Sequence, residues 1–284
     1  MKKIGLLLVL SLNIHVIGGT GITGDGRIQV GIFSEGNILA DMPKYKVDGT
    51  NLIELPAPQG YTGYSYRISA SGEVIIGQLF KLENGFPADC KGVTWRQTST
   101  INGTPYYGDF SLQSTFEEYR DLSDEQNWVS DLSLNGNHIV GSVRTPFWNQ
   151  YDRPAYWDQN GNIQSLGSMV YDGQIYEFGR ANSVSGNKII LGDIYGENTT
   201  SSLGFVWDEQ HGMRYIKNVL EQEYGYNFGD SILYSAYFRD IKCTIIQGNG
   251  YAATGEEFSW QATIPEPASL LLLGLGGLFL RRKN

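Results

Sequence analysis

The side chains that could do chemistry are few and are concentrated at one end of the chain. Of three histidines, only His138 and His211 lie beyond the first 19 residues. His138 sits in a stretch of strand-forming residues and His211 in a Gly-containing turn, so one reads as a tolerated strand residue and the other as a solvated one. No Gly-x-Ser-x-Gly elbow, His-Glu-x-x-His helix or Walker phosphate loop occurs. The 30 acidic residues supply carboxylate pairs anywhere, so their presence singles out no glycosidase site. The densest pattern is C-terminal: Pro265-Glu266-Pro267, an apolar run of thirteen residues from Ala268 to Leu280, then Arg281-Arg282-Lys283-Asn284. Clustered cations resist translocation and stop an exported chain with its C-terminus in the cytoplasm. The run falls short of the roughly 20 residues a comfortable membrane helix needs, which suits a transient stop better than a permanent anchor.

The other end agrees with export. Met1-Lys2-Lys3 precedes an apolar stretch from Ile4 to Leu12, the charged and apolar regions of a secretory signal, although no Ala-x-Ala cleavage site follows. The reading divides the chain into a signal at 1–19, a body at 20–262 and a sorting or anchoring segment at 263–284. The tail resembles the PEP-CTERM sorting segment of bacterial envelope proteins, with Pro265, Glu266, Pro267, Arg281, Arg282 and Lys283 as the matching positions. That resemblance implies a transpeptidase-like processing enzyme, exosortase, as a partner, and transient contact with the membrane through the C-terminal segment.

Composition narrows what the body can do. A net charge of −9, with no Lys/Arg cluster outside the tail, excludes nucleic acid as a partner. The acidic patch Glu117-Glu118 to Asp124-Glu125 reads as a solvated loop. Cys90 and Cys243 would enter an oxidising compartment, and the sequence leaves open whether they pair. Asp158-Gln159-Asn160-Gly161-Asn162 imitates a calcium loop. The parallel Asp208-Glu209-Gln210-His211-Gly212 lacks the alternating ligands, so a shared turn explains both. No metal, cofactor or catalytic residue is expected. The best place for a specific contact is the non-repeating insertion Arg144 to Arg153, where Trp148 and Tyr151 combine aromatic faces with neighbouring amides and suit a glycan. Tyr61, Tyr64, Tyr106 and Tyr107 are expected to be further exposed aromatics.

The elements that must position these groups come from internal repetition. Ile22-Thr23-Gly24-Asp25-Gly26 to Val30-Gly31 recurs at Ile68 to Gly77, Leu132 to Gly141 and Asn182 to Gly192, each reading as strand, tight turn, strand. In the fourth copy Gly186 takes the turn-glycine position. In a degraded fifth copy at Ile245-Ile246-Gln247-Gly248, Lys242 replaces that glycine. A second motif centred on Trp95, Trp157, Trp207 and Trp260 interleaves at intervals of 62, 50 and 53 residues. Each period therefore holds about four strands, the size of a propeller blade. A tryptophan recurring once per blade fills the gap between adjacent sheets. The alternation resembles the extracellular HAF-type repeats that accompany PEP-CTERM tails. The expected fold is all-β and propeller-like, with about five four-stranded blades plus a short C-terminal hydrophobic helix; an irregular β-sandwich is the main competitor. The expected function is an exported structural or adhesive protein of the envelope or extracellular matrix that contacts exopolysaccharide. The alternative is a surface carbohydrate-active propeller enzyme.

Overall fold

A computed structural model describes residues 21–31, 33, 42–49, 52–83, 86–101, 104–111, 126–144, 152–197, 199, 201–240 and 242–264. Within them the chain is all-β apart from one short helix. The first sheet contains β1 (Gly21–Ile22), β2 (Ile28–Val30), β3 (Lys44–Val47) and β4 (Leu52–Glu54). The second contains β5 (Thr62–Ile68), β6 (Val74–Glu83), β7 (Phe86–Ile101) and β8 (Thr104–Ser111). The third contains β9 (Gln126–Leu132), β10 (Ile139–Arg144), β11 (Asp152–Trp157) and β12 (Ile163–Ser165). A two-stranded hairpin, β13 (Met169–Tyr171) and β14 (Gln174–Tyr176), intervenes. The fourth sheet contains β15 (Phe178–Val184), β16 (Ile190–Tyr195), β17 (Leu203–Asp208) and β18 (Gly212–Tyr215), followed by helix α1 (Ile216–Tyr224). In the fifth, β19 (Ile232–Leu233) and β20 (Tyr237–Phe238) both pair with β21 (Ile245–Tyr251), whose other edge carries β22 (Glu257–Thr263). All pairings among the described residues are antiparallel, and the first four four-stranded sheets are simple meanders.

Every repeat opens on the same turn. The hydroxyls of Thr23, Ser69, Ser133 and Ser185 accept the backbone N–H of Ile28, Val74, His138 and Ile189, and in the fifth sheet the Asp240 carboxylate accepts that of Ile245. Three residues after each of these, the backbone enters the left-handed region, at Gly26, Gly72, Gly136, Lys188 and Cys243. Glycine is the cheap residue there. Lys188, with φ 60, and Cys243, with φ 55, fill the position in the last two copies. The turn residue of the fourth copy is therefore Lys188 and not Gly186, and that of the fifth is Cys243 and not Lys242. The fourth copy is one residue shorter, so His138 aligns with Ile189 instead of Lys188.

A second glycine recurs in the strand that follows the turn, for a different reason. A Cβ on Gly77, Gly141, Gly192 or Gly248 would lie 1.8–2.1 Å from a carbonyl oxygen of the neighbouring segment: that of Tyr64, Trp128 or Arg180 in the first strand, or of Ser235 between β19 and β20. In three of these sheets the first strand is bulged at this point, which pushes the carbonyl inward. At Gly77 and Gly248 the ring of Trp95 or Trp260 also occupies the space, and at Gly192 that of Phe205.

The sheets pack face against face in chain order. Ile28, Val30, Tyr45 and Val47 of the first meet Ile75, Val93 and Trp95 of the second. Val74 and Ile76, on the second sheet's opposite face, meet Ile139, Ala155 and Trp157 of the third. Trp207 and Trp260 join the largest cluster, which spans the third, fourth and fifth sheets. The turns are tied together as well, since Gly24 N–H donates to Ala70 and Ala70 N–H to Leu134. No comparably extensive packing joins the fifth sheet back to the first among the described residues, and no closed sheet forms.

Several expectations need correction. The fifth sheet has three rows of strands, with β19 and β20 sharing one row, and the β13–β14 hairpin belongs to no repeat. Helix α1 was not anticipated. Its Ile216, Val219 and Leu220 face the core at helical spacing, and Gly225 closes it in the left-handed conformation. Tyr61 and Tyr107 are buried and only Tyr106 of that group is exposed, because Tyr107 donates to the Gly72 carbonyl and Tyr61 is held against Asp89. No disulfide joins Cys90 and Cys243. No helix of the described residues is long and apolar enough to cross a membrane. The signal, the apolar run Ala268–Leu280 with its expected hydrophobic helix, and the acidic patch at 117–125 lie outside the described residues.

Candidate functional site

Two arginines and a carboxylate frame the insertion that sequence favoured for glycan contact. Arg144 ends β10, Asp152 begins β11, and the two are register partners. Arg144 Nε lies 3.5 Å from Asp152 Oδ1, and Arg180 Nη2 from β15 of the fourth sheet lies 3.4 Å from Oδ2. The base of the loop is thus pinned by a shared, largely buried carboxylate. Trp148 and Tyr151 themselves lie outside the described residues.

Where the inner strands converge, the charges are structural. Asp131 on β9 accepts from Arg67 Nε of the second sheet at 3.3 Å and from Val184 N–H of the fourth at 3.2 Å. Burial raises its carboxyl above the usual range against the Arg67 charge. Burial likewise pushes the Cys243 thiol up to about 12, with the Asp131 and Asp240 carboxylates adding to the shift. A thiol so disposed stays protonated and is a poor nucleophile. Asp131 joins three successive sheets, which is work enough to account for it.

Neither histidine is arranged as a general base. His138 Nδ1 sits 3.0 Å from Tyr156 OH, and burial, then the Lys188 charge, lowers its pKa. Lys188 Nζ lies 4.0 Å from the Tyr156 ring centroid and 2.7 Å from Glu209 Oε1, so this cluster staples the third sheet to the fourth. His211 is held by Asp208, whose Oδ1 also accepts the N–H groups of Gln210 and His211. Burial raises the Asp208 carboxyl, but the His211 hydrogen bonds and the Arg214 charge outweigh it and leave the pKa below the usual range. Asp158 Oδ1 accepts from Asn160 and Asn162 N–H in the same way. The resemblance to a calcium loop therefore reduces to a side-chain-capped turn used twice.

The remaining place of interest is where the chain leaves the fifth sheet. β22 is held to its last residue: Thr263 N–H donates to Tyr226 OH at 2.7 Å, and Ile264 N–H to the Thr244 carbonyl at 2.7 Å. Beneath it Phe228 meets Trp260 edge to face, with centroids 6.0 Å apart. Pro265 and Pro267, which carry no backbone N–H, follow in the sequence, and cleavage beyond Ile264 would leave every described strand of the fifth sheet intact.

Comparison with protein families matches residues 263–283 to the PEP-CTERM protein-sorting motif. Comparison with curated proteins finds no match. Among solved structures the chain is similar to TolB from Acinetobacter baumannii, with a TM-score of 0.38 and 16% identity over 70% of this chain. It is also similar to the β-propeller domain of the Trilobed protease from Pyrococcus furiosus, which has an open velcro topology, with a TM-score of 0.37 and 13% identity over 86% of this chain. The chain spans 45% of the TolB chain and 67% of the protease domain.

Proposed function

We propose that this is an exported, exosortase-sorted protein whose sheet-built body serves a structural or adhesive role in the envelope or extracellular matrix, in contact with exopolysaccharide. One observation carries the reading: the PEP-CTERM sorting motif begins at Thr263, the last residue of β22. A processing enzyme that recognises Pro265-Glu266-Pro267 acts beside a rigid strand end, and it delivers the body without unfolding it. In this reading residues 1–19 direct export, Ala268–Leu280 holds the membrane transiently, and Arg281, Arg282 and Lys283 stop translocation.

The body at 20–262 is, in this account, a five-bladed, propeller-like stack of HAF-type repeats. The five turn-and-strand repeats, each with its own sheet, support it. A non-catalytic role fits the way titratable groups are used: Asp131, Asp208 and Lys188 all tie turns or sheets together. Trp148 and Tyr151 remain candidates for glycan contact on a loop whose base is fixed by Arg144 and Asp152.

The test is deletion of Ala268–Asn284 in the producing cell, followed by fractionation. The account expects the body to pass into the medium. Envelope retention equal to that of the intact chain would contradict it.

A further inference from the structure

The fifth sheet ends the stack, and its two faces differ in kind. Toward the fourth sheet it turns Leu233, Ala236, Ile246, Trp260 and Ala262, all buried. Strand alternation puts the intervening residues on the opposite face. Directly opposed residues share a face, so the pairs Tyr237↔Gln247, Asn249↔Ser259 and Ile232↔Tyr251 lie together on it. Tyr237 and Tyr251 are 38% and 39% exposed there, where most tyrosines of the body are more deeply buried.

This outward face is organised. Gln247 Nε2 donates to Tyr237 OH at 2.6 Å, and Ser259 Oγ donates to Asn249 Oδ1 at 3.0 Å. The rings of Tyr234 and Tyr251 lie 4.8 Å apart, tilted by 31°, and Tyr234 OH donates to Glu257. Arg239 donates to Gln261 Oε1 at 2.6 Å. One cation and one carboxylate are thus both engaged, and the face offers aromatic rings and amides without a net charge.

The apolar clusters inside the stack are mainly Ile, Val, Leu, Tyr and Trp, and the amide buried between the second and third sheets, Gln78, donates to the Asn127 carbonyl of the next sheet; covering Gln247 and Asn249 would require partners of that kind. The outward face of the first sheet is mixed, since alternation places Lys44, Lys46 and Glu54 on it beside Ile22 and Leu52. Sugars do fit. The C–H face of a pyranose packs on a tyrosine ring, and its hydroxyls both donate and accept, as amides do. Gln247 keeps its carbonyl oxygen, and Asn249 keeps its two N–H donors for such exchange. Tyr237 pairs with Gln247, four residues before Tyr251 on β21 and about 13 Å away along the strand, so one extended chain could engage both rings.

We propose that the outward face of the fifth sheet binds neutral polysaccharide, with Tyr237 and Tyr251 as stacking platforms and Gln247 and Asn249 as hydroxyl partners. This rests on the adhesive reading above and assigns it a site and a ligand class. The experiment is affinity electrophoresis of the full chain in gels containing hydroxyethylcellulose, dextran or galactomannan, with alginate as the polyuronate probe. At least one neutral probe should retard the protein, and alginate should not. Tyr251→Ala should weaken retardation about five- to tenfold, and Tyr237→Ala with Tyr251→Ala more than either alone. Gln247→Ala, which removes no ring, should weaken it severalfold with an unchanged melting midpoint. Tyr106→Ala, on the second sheet, should have no effect. Equal retardation of the wild type and all fifth-sheet variants would overturn the site while leaving the adhesive reading standing. No retardation of the wild type by any probe would sink both. Retardation by alginate alone, or a dimer that the double tyrosine variant dissociates, would overturn the proposed ligand and face.

Discussion

Replacing Gly141 by alanine tests the packing logic most sharply. The new Cβ would sit 1.8 Å from the Trp128 carbonyl oxygen and 2.9 Å from Val129 Cα. Ordinary carbon–oxygen contact lies above 3 Å, and both atoms belong to backbone that no side-chain rotation can move aside. β9 must therefore draw back from β10 by more than 1 Å. That movement strains the hydrogen bonds Asp131 makes to Arg67 and Val184 in the adjacent sheets. An overpacking cost of about 3 kcal/mol is expected, which for a domain of this size lowers the melting midpoint by roughly 6–12 °C. The matched control is Gly186→Ala. That glycine has nothing within 4 Å of its Cβ position and does not adopt the left-handed conformation. Alanine there should leave stability unchanged or raise it by up to about 1 kcal/mol. Thermal unfolding of the full chain, followed by far-ultraviolet circular dichroism and tryptophan fluorescence, reads both variants. Gly141→Ala melting with the wild type while Gly186→Ala loses stability would refute the argument.

Two further perturbations follow from buried groups. Trp157 is fully buried between the second and third sheets, so Trp157→Ala should cost about 3–5 kcal/mol in denaturant unfolding; a change under 1 kcal/mol would mean the indole is not part of a packed interface. Burial raises the Asp193 carboxyl above 3.8, against the Asn182 hydrogen bond and the Arg180 charge, so the folded state retains a proton that the unfolded chain releases. Stability must then fall as pH rises from about 4 through the folded pKa, and the loss persists above it. Asp193→Asn keeps an acceptor for Asn182 and removes that titration. Its urea midpoint should therefore vary less between pH 4 and 7 and exceed the wild type's at pH 7, whereas a parallel profile would contradict the assignment.

Much of the framework was legible because repetition exposes what each position must do. The second glycine of each repeat stood out in the sequence, and at Gly77, Gly141, Gly192 and Gly248 its reason is a carbonyl that occupies the Cβ position. The tryptophans at 95, 157, 207 and 260 were readable as inter-sheet packing because they recur at one place per sheet. Finer register was not readable. Gly186 looked like the turn glycine, but a one-residue deletion hands that position to Lys188, whose ammonium is held by Glu209 and the Tyr156 ring. The opening Ser, Thr or Asp of each turn was passed over, although its side chain closes the turn in all five sheets. Helix α1 was missed because Tyr215-Ile216 continues the strand pattern and the i, i+3, i+4 spacing begins only there. The outward tyrosines and amides of the fifth sheet were missed for a related reason. Departure from the repeat consensus looked like decay, yet Gln247 replaces the apolar Ile76, Val140 and Leu191 of earlier copies on the face that points away from the stack.

The central claim is that the residues following β22 hold the exported, sheet-built body at the membrane for sorting and are then removed. Intact-mass measurement of the protein recovered from the surface or medium of its producing cells tests it most directly. The account predicts a mass cut back near Pro265-Glu266-Pro267, without Arg281, Arg282 and Lys283. A mature species that still carries Arg281–Asn284 would contradict it.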